Sequence, residues 1–190
     1  MLYSSLFAAT ALVGAAFAED HKVIVSDKQG SLLFKPDSLT AAEGDTVTFH
    51  FWPKNHSVAQ STFDSPCEPM QGGFWSGYVP TASTESLANT TFTYEVMNAS
   101  APIWFYCTQG MHCQNGMVGV INPPESDEKT LDAFKNAAAD ADMNVTPTST
   151  AGTGGNRTES STTEDSPSPS SPTGTGAASH VAGSAVFAGL

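Results

Sequence analysis

Between Asp20 and Pro124 the apolar residues of this chain come in short runs, each closed by Gly, Pro, Asp or Asn. The runs are "KVIVSD" (22–27), "SLLFKP" (31–36), "DTVTFHFW" (45–52), "TFTYEVM" (91–97), "PIWFYC" (102–107) and "MVGVINP" (117–123). All are of strand length and rich in β-branched and aromatic residues, which pack well on a pleated surface. In "DTVTFHFW", Val47, Phe49 and Phe51 share one face while Thr46, Thr48, His50 and Trp52 share the other. That period of two belongs to a strand with one buried side. Turn residues such as "EGD" (43–45) and "NPP" (122–124) separate the runs. An all-β domain over 19–124 is expected, most simply two sheets packed face to face.

Past Pro124 the pattern changes twice. In 125–142, Leu131 and Phe134 stand three apart among charges and alanines, which predicts one short amphipathic helix. From Met143 the chain is mostly Ser, Thr, Pro and Gly with almost nothing to bury, so 143–176 is expected to be a disordered, glycosylated stalk. The closing "HVAGSAVFAGL" is apolar with small residues. After a stalk, that is the outline of a glycosylphosphatidylinositol attachment signal over 177–190. At the other end the chain is apolar and small from Leu6 to Ala18 and finishes on "AFA", with Ala16 and Ala18 where a signal peptidase needs small side chains. Residues 1–18 read as a removed secretory signal, too short for a spanning helix of roughly 20 apolar residues.

Charge narrows the partners. Seven Lys and Arg stand against 19 Asp and Glu, a net charge of −12, which excludes a phosphate-binding surface and with it nucleic acid. A secreted monomer is expected, touching a membrane only through its anchor, its partner a redox protein or a cell-wall component. Sequons at Asn89, Asn98, Asn144 and Asn156 are read as N-glycosylation sites, whereas Asn55 in "NHS" is expected to be buried and unmodified.

Export also makes the three cysteines, Cys67, Cys107 and Cys113, a puzzle, because extracellular thiols oxidise and three cannot all pair within one chain. "FYCTQGMHCQNGM" offers a solution. Cys107 ends one apolar run and Met117 begins the next, so the loop between them can fold His112 back beside both. Thiolate, imidazole and thioether are a soft set, and a second imidazole would complete the trigonal His₂Cys arrangement with a weak axial Met that suits copper. His56 in "WPKNHSVAQS", just beyond "DTVTFHFW", can supply it. With Cys107 held by metal, Cys67 and Cys113 are left to pair. A bridge from Cys107 to either would instead leave no metal site. Zinc also accepts Cys and His but gains little from a thioether. Met111 and Gln114 are the other nearby axial candidates, the first pointing away and the second wrongly spaced. "GGFWSGYVP" (72–80) either covers the core or presents an apolar docking surface. No nucleophile elbow or phosphate loop appears, and no enzyme is expected.

The spacing Cys, four residues, His, four residues, Met, with Cys directly after the His and "NHS" upstream, resembles the cupredoxins and specifically their phytocyanin-like branch. The wider pattern "FKPDSLTAAEGDTVTFHF", "NHSVAQSTFDSPC", "GGFWSGYVP" and "PIWFYCTQGMHCQNGMVGVINP" is similar to fungal extracellular serine-rich cupredoxin-domain proteins, over roughly residues 21–123. The resemblance implies a Greek-key β-sandwich and one type 1 copper held by His56, Cys107, His112 and Met117. It implies a Cys67–Cys113 disulfide, and a hydrogen bond from Asn55 across to Thr108 that orients the ligands. It also implies electron transfer or copper holding at the fungal cell surface. The alternatives are a metal-independent surface module on the same scaffold and a copper-scavenging or copper-donating protein.

Overall fold

Phe49 and Phe105 meet edge to face with ring centroids 5.4 Å apart, and Phe34 meets Phe105 in the same way at 5.0 Å, so these rings lock two sheets together. The computed structural model describes residues 17–125 and 127–160. Residues 1–16 of the signal expected over 1–18, residues 161–176 of the stalk expected over 143–176, and the attachment signal expected over 177–190 lie outside the described residues. In chain order the described residues form β1 (Asp20–Val25), β2 (Phe34–Lys35), β3 (Ser38–Leu39), β4 (Thr46–Phe51), β5 (Lys54–His56), β6 (Ala59–Ser61), β7 (Val79–Thr81), β8 (Thr90–Glu95), β9 (Ile103–Tyr106), β10 (Val118–Ile121), α1 (Leu131–Ala139) and β11 (Asn156–Glu159). One sheet runs β11-β8-β4-β1-β2 and the other β3-β10-β9-β6, with β5 and β7 as a separate ribbon. The pairs β1/β4 and β3/β10 are parallel, the mark of a chain that crosses between sheets rather than meandering within one.

The two-residue period of β4 holds: Val47, Phe49 and Phe51 are fully buried. The unbroken apolar runs of β9 and β10 have a different cause, since both faces of the second sheet are covered. Ile103, Phe105 and Ile121 face the sandwich, while Trp104, Tyr106, Val118 and Val120 join Phe134 and Ala138 of the helix in a second cluster. Trp104 and Phe134 ring centroids lie 4.6 Å apart. Burying Phe134 is worth about 1.5–3 kcal/mol, enough to hold a helix of nine residues that would not persist alone. Thr130 caps it, its hydroxyl accepting from the Ala133 N–H at 3.1 Å.

The first part of the segment expected as a disordered stalk is ordered. Residues 143–160 are packed against the sandwich, and β11 adds to the edge of the first sheet with Arg157 opposite Phe92. Trp75 N–H donates to the Thr153 carbonyl at 2.8 Å, and Gly152 N–H donates back to Trp75 at 2.8 Å. Gly154, at φ +69°, lies so close to Phe74 that a Cβ would stand 2.8 Å from its Cα. The glycines that read as a flexible linker are what let the main chain approach this closely.

Asp45, 7% exposed, anchors the start of β1. It accepts from the Glu19 N–H at 2.9 Å and the Ala42 N–H at 2.8 Å and lies 3.0 Å from His21 Nε2. The Glu19 N–H first, then His21 and the Ala42 N–H, hold its carboxyl down at about 2, from an ordinary 3.8. A carboxyl depressed on folding stabilises the fold above its ordinary value, and that contribution disappears as pH falls through the folded one. Thermal unfolding followed against pH is expected to lose this contribution between about pH 4 and pH 2. Asp45→Asn should melt lower near neutral pH and show a shallower acid limb; an acid limb unchanged from wild type would rule this role out.

Candidate metal centre

β5 brings His56 to full burial by pairing it with Val79 of β7, and β9 runs directly into Cys107. The loop after Cys107 closes on itself. Cys107 N–H donates to the Met117 carbonyl at 3.0 Å, Met117 N–H to the His112 carbonyl at 2.9 Å, and His112 N–H to the Gln109 carbonyl at 2.9 Å. His112 is thereby folded back over the cysteine. Its Nδ1 lies 3.4 Å from Cys107 Sγ, and His56 Nδ1 lies 4.0 Å from the same sulfur. The three donor atoms fall within 4.8 Å of one another, and this is the group of three His, Cys, Asp or Glu residues so arranged among the described residues. Met117, also fully buried, sits in the same core cluster as Cys107.

The electrostatics prepare these groups as ligands. His56 Nε2 is 3.1 Å from the Pro53 carbonyl, a contact that requires an N–H there and leaves the Nδ1 lone pair facing the sulfur. Burial, with His112 and Lys54 nearby, pulls His56 down to about 4. Burial and Lys54 lower His112 as well. Both rings are therefore neutral at physiological pH, with lone pairs available. Burial pushes the Cys107 thiol up, opposed by hydrogen bonds from the Gln109 backbone and from Ser57. A cation among these atoms would release that proton and leave a thiolate.

Cys67 and Cys113 are bonded, S–S 2.06 Å, and Cys107 is free and buried. The bridge ties the loop beside His112 to the segment after β6. Cys67, at φ +61°, sits in a tight turn that brings it back to the loop. Asn55 and Thr108 do not meet in the way the resemblance implies. Asn55 Nδ2 donates to Gln109 Oε1 at 2.7 Å, and Ser57 makes the link to Thr108. Its hydroxyl accepts from the Thr108 N–H at 3.0 Å and lies 2.9 Å from Thr108 Oγ1. The reason is spacing along the chain: Ser57, fully buried, shares the inward path of His56, while Asn55 is half-buried. Met111 is 65% exposed, turned away from the cluster. The "GGFWSGYVP" stretch is core cover rather than a docking face, with Phe74 and Trp75 buried and Tyr78 edge-on to Trp75 at 5.4 Å.

Of the sequon asparagines, Asn89, Asn98 and Asn156 are exposed. Asn144 differs. Its Nδ2 donates to the Cys107 carbonyl at 3.0 Å and the Gly110 carbonyl at 2.9 Å, so the atom that would carry a sugar is turned onto the ligand loop. Around it, Val145 N–H donates to the Cys67 carbonyl at 2.8 Å and the Tyr106 hydroxyl donates to the Val145 carbonyl at 2.6 Å. The sequence reading missed Ser57, Tyr78 and Asn144 as parts of this site. Ser57 directly follows His56, which was signal enough to find it; Asn144 lies 37 residues beyond Cys107 in a segment that looks like linker.

No family model matches the chain. Over 135 residues, 70% of this chain and 50% of the relative, it is 43% identical to an "Extracellular serine-rich protein" of Arthroderma benhamiae; it thus spans half that relative's length. Over 141 residues, 74% of this chain and 70% of the relative, it is 35% identical to a "Probable GPI-anchored cupredoxin-1" of the same organism. Among solved structures it is similar to a mutant fern plastocyanin, with a TM-score of 0.38 and 24% identity over 53% of this chain and 96% of that one. It is also similar to a purple cupredoxin from Nitrosopumilus maritimus, with a TM-score of 0.40 and 18% identity over 54% and 97%.

Proposed function

The chain belongs to the cupredoxin family, and from that premise we propose that it holds one copper ion outside the cell and passes single electrons through it. His56, Cys107 and His112 would bind the metal, with the buried Met117 thioether as a weak fourth donor. Bound there, copper supplies a one-electron couple between Cu(II) and Cu(I). The reading is carried by one observation: a buried thiol with the Nδ1 atoms of two histidines 4.0 and 3.4 Å from its sulfur. Two nitrogens, a thiol and a buried thioether are a soft donor set that fits copper better than zinc.

This chain's own residues do the rest. Four side-chain donors leave no position open for a substrate, which favours an electron carrier or a copper holder over an enzyme. The loop's internal hydrogen bonds and the Cys67–Cys113 bridge keep the donors in one arrangement for both oxidation states. Burial excludes water from Cys107, while half-buried His112 is the edge nearest solvent. The names of the two Arthroderma relatives support an extracellular place at the cell surface through a lipid anchor, with a redox protein or wall component as partner. Among the described residues no helix is long and apolar enough to cross a membrane.

The test is a Cu(II) titration of the secreted chain. One equivalent is expected to produce the intense visible absorption of thiolate-to-Cu(II) charge transfer and a compressed copper hyperfine splitting in spin resonance. One equivalent of reductant should bleach both. A chain that stays colourless when loaded would be a metal-independent surface module on this scaffold.

A further inference from the structure

The side chains that hold the loop between Cys107 and His112 come from opposite sides. From within, the Ser57 hydroxyl accepts from the Thr108 N–H. From without, the loop is covered by residues 144–146, which belong to none of the sheets. Asn144 spans it, donating one Nδ2 hydrogen to the Cys107 carbonyl and the other to Gly110. Those two acceptors settle the orientation of the amide, since only the NH₂ can satisfy two carbonyls at once. Asn144 Oδ1 is buried without a partner, so the side chain gains nothing here except these two donations. Thr146 reinforces the same place through Tyr78, whose hydroxyl is 2.7 Å from Thr146 Oγ1 and donates to the Thr108 carbonyl at 3.3 Å. The carbonyls of Cys107, Thr108 and Gly110 are thus tied to one strap, which is itself bonded to the disulfide through Val145 and Cys67.

We propose that Asn144 is a positioning residue for the metal loop and that its sequon stays free of sugar in the working protein. The first half rests on the copper reading above. Asn144 touches no donor atom; it acts by fixing the peptide that follows Cys107 and the turn before His112, and so the sulfur-to-imidazole spacing. The second half follows from the same atom, because a sugar on Nδ2 would replace a hydrogen that one of the two carbonyls requires. In this respect Asn144 is set apart from exposed Asn89, Asn98 and Asn156.

The experiment uses the full secreted chain with Cu(II) itself as probe. Asn144→Ala is expected to weaken copper binding, measured by chelator competition, by about 10–100-fold, as removing groups that orient metal ligands does. It should also shift the charge-transfer maximum and the reduction potential, which a loss of stability alone would not move. Asn144→Asp, which sets a carboxylate oxygen against the same carbonyls, should do more. Thr146→Val destroys the sequon and the contact with Tyr78 but keeps the amide, so its absorption maximum should move by less than that of Asn144→Ala. Peptide mapping after enzymatic deglycosylation should find Asn144 unmodified. If Asn144→Ala is too unstable to load, Asn144→Gln, whose longer side chain moves the amide off both carbonyls, is read in its place for the first half, and the sugar map decides the second. A coloured wild type with an Asn144→Ala variant of unchanged maximum and affinity overturns the positioning role. Sugar on Asn144 in copper-loaded protein overturns both halves. A colourless wild type overturns the copper reading and the positioning role with it, leaving the sugar map to decide the second half.

Discussion

Cys107→Ser is expected to give a chain that folds with close to wild-type stability but shows no thiolate-to-copper colour when loaded with Cu(II). The two properties separate because different neighbours decide them. Cys107 is fully buried within the main core, and serine fills nearly the same volume. Its hydroxyl would lie near the Gln109 backbone and Ser57, but the Ser57 Oγ, 3.8 Å from the sulfur, is too far to pair with it without a local shift. The destabilisation should therefore stay at or below the about 1–3 kcal/mol of a buried hydroxyl left unpaired. The colour, by contrast, needs sulfur. Serine is a weak, hard donor, so two imidazoles and a thioether would be left to hold copper with pale ligand-field bands and an ordinary, wide hyperfine splitting. Absorption, spin resonance and denaturant unfolding on the same preparation test both halves. Retention of the colour would mean that Cys67 or Cys113 supplies the thiolate after their bridge opens, which would displace the site to the other side of the loop.

What could be read from the chain beforehand follows from which interactions leave a trace in residue type. β4 was legible because alternate burial imposes alternate chemistry on Thr46–Phe51. β9 and β10 were legible as strands, but their unbroken apolar character only makes sense once the helix covers the second face through Phe134. β5 and β7 left little trace, since three-residue strands such as Lys54–His56 pair through the main chain and carry too few side chains for a period. β11 left none: "NRTE" has no apolar residue, and it joins the sheet edge by backbone hydrogen bonds and by glycines that permit contact. Composition counts side chains that could be buried, so a segment held by its peptide groups reads as linker. The same division runs through the candidate site. Cys107, His112 and Met117 are local in sequence and chemically distinctive, and His56 was reachable because it ends an apolar run. Ser57 and Asn144 carry ordinary polar groups, and only the folded path shows that they face the loop.

Replacing Cys67 and Cys113 together with serine is expected to remove about 4 kcal/mol of stability from the metal-free chain. The bridge closes a loop with a sequence separation of 46, and the chain-entropy model assigns a loop of that length about this value. Typical domains have only about 5–15 kcal/mol in total, so the variant should unfold at a much lower denaturant midpoint. A second contribution has the same sign: both sulfurs are fully buried beside Trp75, Trp104 and Tyr106, where two hydroxyls would lie among apolar groups. The double variant is the right comparison, because a single change leaves a thiol free to pair with Cys107. Copper should report something different. None of the proposed donors is altered, and the loop keeps its own bonds from Cys107, Met117 and His112 and its ties to Ser57 and Asn144. The colour should therefore persist while copper leaves faster, since Cys113 no longer tethers the residue next to His112. Urea unfolding of metal-free protein and chelator-driven copper release measure the two effects separately. A midpoint within experimental error of wild type would refute the entropic role of the bridge. A colourless double variant that still folds would show that the disulfide, rather than the loop's own hydrogen bonds, sets the spacing of the donors.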